Sequence, residues 1–112
     1  MAFDTFLAQR VRAALGPRPG ITERQMFGGL AFLVHGKMFM GIRNSSLMAR
    51  VGPEHHQDAL AMPHVRVMDF TGRAMKGYVY IDPPAVAEDQ DLKAWVVWCL
   101  EYVAGLPEKK KA

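Results

Sequence analysis

Met26-Phe27-Gly28-Gly29 is the local pattern of this chain most suggestive of chemistry. A phosphate-cradling glycine loop needs a third glycine at set spacing and a helix directly behind it, because backbone N–H groups and the helix N-terminus hold the anion. Strand-forming residues follow here instead, so the paired glycines read as a bulge or a sharp bend in a sheet. Four histidines, His35, His55, His56 and His64, raise the question of a metal. Adjacent histidines on a helix point about 100° apart, whereas helical zinc pairs stand four residues apart. No cysteine or carboxylate stands beside them at a ligand spacing, so surface histidines are the reading and neither metal nor cofactor is expected. Cys99 falls inside an apolar helical stripe with Trp95 and Val103, where a thiol packs rather than reacts. Ser45 and Ser46 sit in a turn without a nucleophile-elbow motif. No catalytic residue is expected, and the chain does not read as an enzyme.

Binding is the stronger reading. Met48, Arg50, Arg66, Met68, Lys76, Tyr78 and Tyr80 alternate so as to share one face of a sheet. Tyrosine, methionine and arginine together suit a protein partner or a homodimer. Aromatic residues interleaved with bases also suit stacked nucleobases and phosphates, which makes nucleic acid the alternative. No RNP-type motif is present. The methionines at 26, 38, 40, 48, 68 and 75 serve either as core gap-fillers or as an adaptable binding surface.

The elements that must position these residues follow from periodicity. Phe3, Phe6, Leu7, Val11, Ala14 and Leu15 recur at helical spacing over residues 2–15, and Gly16-Pro17-Arg18-Pro19-Gly20 stops that helix. From Ile21 the period becomes two. Leu30, Phe32 and Val34 alternate, then Met38, Met40 and Ile42, then Leu47, Ala49 and Val51, with Gly36-Lys37 and Asn44-Ser45-Ser46 as turns. Pro53 suits the first turn of a short helix over 53–61. Two further strands, from Val65 to Phe70 and over 74–81, flank a hairpin loop at Thr71-Gly72-Arg73. Leu92, Trp95, Val96, Cys99 and Val103 mark a last helix over 86–105, with acids in its first turn and Gly105 and Pro107 beyond it. Strand runs flanked by helices predict an α+β fold. It has an antiparallel sheet of about five strands, N- and C-terminal helices covering one face, and one short middle helix.

At 112 residues, half of them hydrophobic, the chain supports one domain, expected over 1–107 with a flexible basic tail at 108–112. No segment reaches the ~18 unbroken apolar residues of a membrane span. The single cysteine fits a reducing compartment, and cytoplasmic location with no membrane contact is the expectation. The net charge of +3 is unevenly placed. Residues 1–81 carry ten Lys/Arg against five Asp/Glu, residues 82–108 carry Lys93 against six acids, and Lys109, Lys110 and Lys111 end the chain. The lysine tail reads as a solvated end.

Arg24-Gln25-Met26-Phe27-Gly28-Gly29-Leu30-Ala31-Phe32 followed by Gly36-Lys37-Met38-Phe39 resembles the signature of the TfoX (Sxy) N-terminal-domain family. Leu47–Gly52, Met68–Arg73, Gly77–Tyr80, Trp95-Val96 and Leu106-Pro107 continue the likeness over about 1–107, as in short stand-alone members. The motif residues Met26, Phe27, Gly28, Gly29, Gly36, Lys37 and Met38 are expected to serve mainly structure. The resemblance implies an α+β domain similar to secretion-chaperone-like folds. It also implies a regulatory role, since full-length members act as competence regulators with a cyclic-AMP receptor protein at promoters. Those members carry a second, C-terminal domain. The resemblance brings no catalytic residues.

Overall fold

A computed structural model describes residues 4–26, 28–68 and 77–106. The first helix, α1, covers Thr5–Leu15. Asp4 starts it, its carboxylate accepting from the backbone N–H groups of Phe6 and Leu7 at 2.9 and 3.1 Å. Those donors would otherwise lack partners at a helix start. Leu7, Ala8, Val11 and Leu15 form its buried stripe. Phe6, expected in that stripe, is 68% exposed. One residue before Leu7, it is turned about 100° out of the arc that Ala8 completes. Phe3, also assigned to the stripe, lies outside the described residues.

Among the described residues six strands follow rather than about five, all paired antiparallel. They are β1 (Ile21–Met26), β2 (Gly29–Val34), β3 (Lys37–Arg43), β4 (Ser46–Arg50), β5 (Val65–Val67) and β6 (Tyr78–Ile81). Their order across the sheet is β1-β2-β3-β4-β6-β5. The additional strand is β1, whose Thr22-Glu23-Arg24-Gln25 is polar throughout and carries no hydrophobic alternation. Three successive hairpins build the β1–β4 meander. In the second, His35 and Gly36 both take positive φ, 51° and 81°, between the paired Val34 and Lys37. Two left-handed residues match the twist of the flanking strands.

Leu30, Phe32, Met40, Ile42, Leu47, Ala49, Val79 and Ile81 project to one face and merge there with the helices in a single core. β3 contains a bulge. Phe32 pairs with Met40 but Leu33 pairs with Met38, leaving Phe39 as the extra residue. Phe39 is fully buried in the core, and the period-two reading that grouped Met38 with Met40 fails at that point. A bulge switches the side on which the preceding residue emerges.

The chain then passes through a 3₁₀ turn, Pro53–His55, into α2 (His56–Leu60), so the expected 53–61 helix is split. A second 3₁₀ turn, Pro83–Val86, precedes α3 (Asp89–Ala104). Asp89 and Asp91 occupy the first turn of α3, where they complement the helix dipole. Leu92, Trp95, Val96, Cys99, Leu100 and Val103 are buried, as the stripe predicts. α3 packs on α1, β3 and β4, so both long helices cover the same face of the sheet. No helix among the described residues is long and apolar enough to cross a membrane. The expected hairpin loop at 71–73, the strand ends around it and the lysine tail lie outside the described residues.

Gly28-Gly29 forms a hairpin joint rather than a bulge. Met26 faces Gly29, Gly28 takes φ 74°, and a Cβ on Gly29 would run into the carbonyl oxygen of Ile42 on β3. Gly29→Ala therefore destabilises the protein by about 1–3 kcal/mol through overpacking. Gly28→Ala, with open space around it, costs about 1–2 kcal/mol of left-handed backbone strain. Urea unfolding of both variants tests this, and wild-type stability for Gly29→Ala would contradict the close approach.

Candidate functional site

The sheet face turned away from the helices carries the residues with binding chemistry. One row of Cα partners crosses all six strands: Arg24, Ala31, Gly41, Met48, Tyr80 and Arg66. Arg50 and Tyr78 are partners in the next row. Met48, Arg50, Arg66, Tyr78 and Tyr80 are thus brought onto one face because each is separated from its neighbour by an even number of strand positions. Lys76 lies outside the described residues.

Arg66 is the most constrained of them. Its Nε and Nη2 donate to the two carboxylate oxygens of Asp82 at 2.8 and 2.7 Å, and its guanidinium carbon lies 5.1 Å from the centroid of the Tyr80 ring. The Ser46 hydroxyl donates to the same carboxylate at 3.1 Å. Arg43 Nη1 donates to the Tyr80 hydroxyl at 3.5 Å. Arg50 repeats the arrangement, lying 5.6 Å over the Tyr78 ring and donating to the Met38 carbonyl at 3.3 Å. Planar guanidinium groups hold such stacked and forked positions better than lysine does. The Arg66 hydrogen bond holds the Asp82 carboxyl below the usual carboxylate range, helped by Ser46 and by the charges of Arg66 and His64.

The floor between these side chains is apolar. Ala31, Leu33 and Met48 are buried. The methyl groups of Met48 and Met38 converge over Gly41, where a Cβ would lie 2.7 and 3.3 Å from them. Met48 and Met68, grouped with the contact residues on pattern alone, are buried. The side chains left to meet a partner are Arg50, Arg66, Tyr78 and Tyr80, joined by Arg24 and Arg43. Those two arginines were not assigned to the face from the sequence. Arg24 sits on the unread strand, and Arg43 ends β3 beside the turn. Asp82 is the carboxylate that the described strands place there.

The other candidates are dispersed. His35 sits in a turn, with its backbone N–H donating to the Gly20 carbonyl at 3.0 Å. His55 meets Trp98 edge-on at 5.9 Å and Asp58 at 3.5 Å. His64 takes φ 63° ahead of β5. His56 is buried rather than at the surface, and its Nε2 has no hydrogen-bond partner among the described residues. Among the described residues no group of three or more His, Cys, Asp or Glu is arranged to hold a metal. Burial pushes the Cys99 thiol up to about 12, far from nucleophilic readiness. Gly36 and Lys37 belong to the β2–β3 hairpin, and Phe27 lies outside the described residues.

A second surface lies beside α3. Trp95 and Trp98 stack with ring planes 9° apart and centroids 5.1 Å apart. They border a groove of about 450 Å³ with Met62, Pro63, Pro84 and Asp91. Nothing in the linear pattern predicts it beyond the three-residue spacing of the tryptophans, because its opposite wall comes from distant loops.

Cys99 is expected to resist thiol reagents at pH 8 in the native state and to react fully in denaturant, as Ellman titration will read. Rapid native labelling would contradict its burial. Asp82 has a folded-state pKa below its unfolded one, so its contribution is fully present above the ordinary carboxylate range and is lost as pH falls from there through the folded-state pKa. Asp82→Asn is expected to cost about 0.5–1 kcal/mol near pH 7, and its deficit relative to wild type should shrink towards pH 3 in thermal melts. A deficit independent of pH would refute the ionic clamp.

No curated protein and no solved structure matches the chain. Residues 13–102 match the family model of the TfoX N-terminal domain, a span that takes in all six strands, the last turn of α1 and most of α3. More than half of the chain is covered, and the chain belongs to the TfoX N-terminal domain family.

Proposed function

We propose that this chain is a non-catalytic regulatory domain that engages a protein partner, or a second copy of itself, through the arginine–tyrosine face of its sheet. The carrying observation is the row that sets Arg50 over Tyr78 and Arg66 over Tyr80 on the face opposite the helices. Stacked and forked side chains lose little conformational freedom on binding, and Tyr and Arg dominate interface energetics for that reason among others. A role in transcriptional or competence regulation, exercised in the cytoplasm, is the reading that agrees with the family. No cofactor is invoked.

Nucleic acid is the second reading, favoured by Arg24, Arg43, Arg50 and Arg66 on one face. A protein partner fits better. Arg50 and Arg66 already lie over the tyrosine rings on which bases would stack, and Asp82 neutralises Arg66.

Affinity capture from a bacterial lysate tests the leading reading. Arg50→Glu and Tyr78→Ala/Tyr80→Ala, each checked for native circular dichroism, are expected to lose the partners of the wild type by at least about tenfold, equivalent to 1.4 kcal/mol. An unchanged partner set in both variants would overturn the assignment to this face. The second reading predicts gel retardation of DNA or RNA that falls steeply with salt through counterion release. No retardation of either at low salt ends it.

A further inference from the structure

We infer that the groove along α3 is a second binding site, one that takes an extended, proline-containing peptide with basic residues about five positions apart. The groove continues past Trp98 into a neighbouring hollow bordered by Glu101 and Tyr102, with Ala94 and Trp98 common to both. Asp91, Ala94, Trp95, Trp98, Glu101 and Tyr102 thus form one outer stripe of the helix at spacings of three and four. The buried stripe of α3 is consumed by the sheet. Trp95 also belongs to that buried stripe and Trp98 and Tyr102 pack against the core, so the outer arc opens to solvent at Asp91, Ala94 and Glu101.

Chemistry selects the occupant. The walls are Trp98, Met62, Pro63, His64 and Pro84 around a buried Trp95, and Met62 is 42% exposed. A half-buried indole, Trp98, next to prolines suits the preformed polyproline conformation, which loses little entropy on docking. The polar groups that α3 itself contributes at the two ends of the stripe are acids, while His64 and His55 also border the two hollows. Asp91 and Glu101 are exposed, and neither meets a cation among the described residues. Lys93, the one base among residues 82–108, borders a different hollow, beside Arg10 of α1. A charge-complementary ligand is therefore basic at both ends and apolar between them.

Distance fixes the spacing. Ten residues of helix separate Asp91 from Glu101, a rise of about 15 Å at 1.5 Å per residue. A polyproline segment advances about 3.1 Å per residue, so two arginines five positions apart span the same interval. Guanidinium groups suit these ends because they pair with carboxylates and also lie over indole rings.

Both tryptophans of the chain lie in the groove, so intrinsic fluorescence reports its occupancy directly. The probe is a synthetic hexapeptide with arginine at each end and alternating proline and alanine between, titrated into the full chain. A saturable change in Trp emission below about 1 mM is expected. The Asp91→Asn/Glu101→Gln variant is expected to bind about five- to tenfold more weakly, and Arg50→Glu on the sheet face to bind like wild type. The two carboxamide changes are exposed and leave the core intact, so a fold defect does not confuse the result. No saturable change would overturn the inference. So would equal binding of the same peptide with glutamine in place of both arginines, or equal binding of free arginine amide, which carries a single cation. Light scattering supplies the last arm. A concentration-dependent dimer dissolved by Asp91→Asn/Glu101→Gln would assign the groove to a second copy of the chain and overturn the peptide reading.

Discussion

The docking of α3 across β3 and β4 governs the rest of this molecule. Val96, Cys99, Leu100 and Val103 join Phe32, Met40, Ile42, Leu47 and Ala49 in one core. At roughly 25 cal/mol per Å² of apolar surface removed from water, this layer is the main favourable term in the fold. It also decides what each remaining surface is. With α1 and α3 on one side of the sheet, the other side is left to Arg24, Arg43, Arg50, Arg66, Tyr78 and Tyr80. With the inner stripe of α3 committed to the sheet, its outer stripe holds Asp91, Trp98 and Glu101. Both candidate surfaces are by-products of one packing choice. That explains how a small domain presents two chemically distinct faces.

Legibility of the fold followed the strength of periodicity. α3, β2 and β4 were legible because a buried stripe or face imposes its period on the residue types. β1 was not. As an edge strand it exposes Thr22, Glu23, Arg24 and Gln25, and polar residues on both faces carry no period. The bulge at Phe39 was invisible for a different reason. One extra residue moves Met38 to the opposite face, and no local residue type marks where the register slips. Phe6 was misassigned because Ala8 shares the inward arc, and a small residue contributes little to an apolar pattern.

The site divides along the same lines. Arg50, Tyr78 and Tyr80 were legible because they alternate within strands, and Arg66 because it is opposite Tyr80 across the last pair. Arg24 depended on a strand with no signal of its own. That Met48 and Met68 are buried could not be read from alternation, which reports the side of a sheet but not the depth. The α3 groove depended on residues some thirty positions apart, Met62 and Pro63 with Trp95 and Trp98, coming to border one hollow, which spacing within one helix does not encode.

The charge imbalance of the chain acquires a structural meaning from this arrangement. The basic excess of residues 1–81 is partly gathered as arginines on the sheet face, and the acidic excess of residues 82–108 lies largely along α3. Asp82 is the exception that joins them. By sequence it opens the acidic segment, yet its carboxylate serves the basic face by gripping Arg66 and Ser46. Its backbone N–H donates to the His64 carbonyl at 2.9 Å, and its own carbonyl accepts from Ala85 at 3.0 Å. Pro84 and Ala85, directly after it, border the groove. One short, proline-stiffened segment is therefore hydrogen-bonded to both surfaces. A loop with so many fixed partners has little freedom to move independently of either. The arginine–tyrosine face and the groove beside α3 therefore meet at the same few residues, and a change at Asp82 bears on the geometry of both.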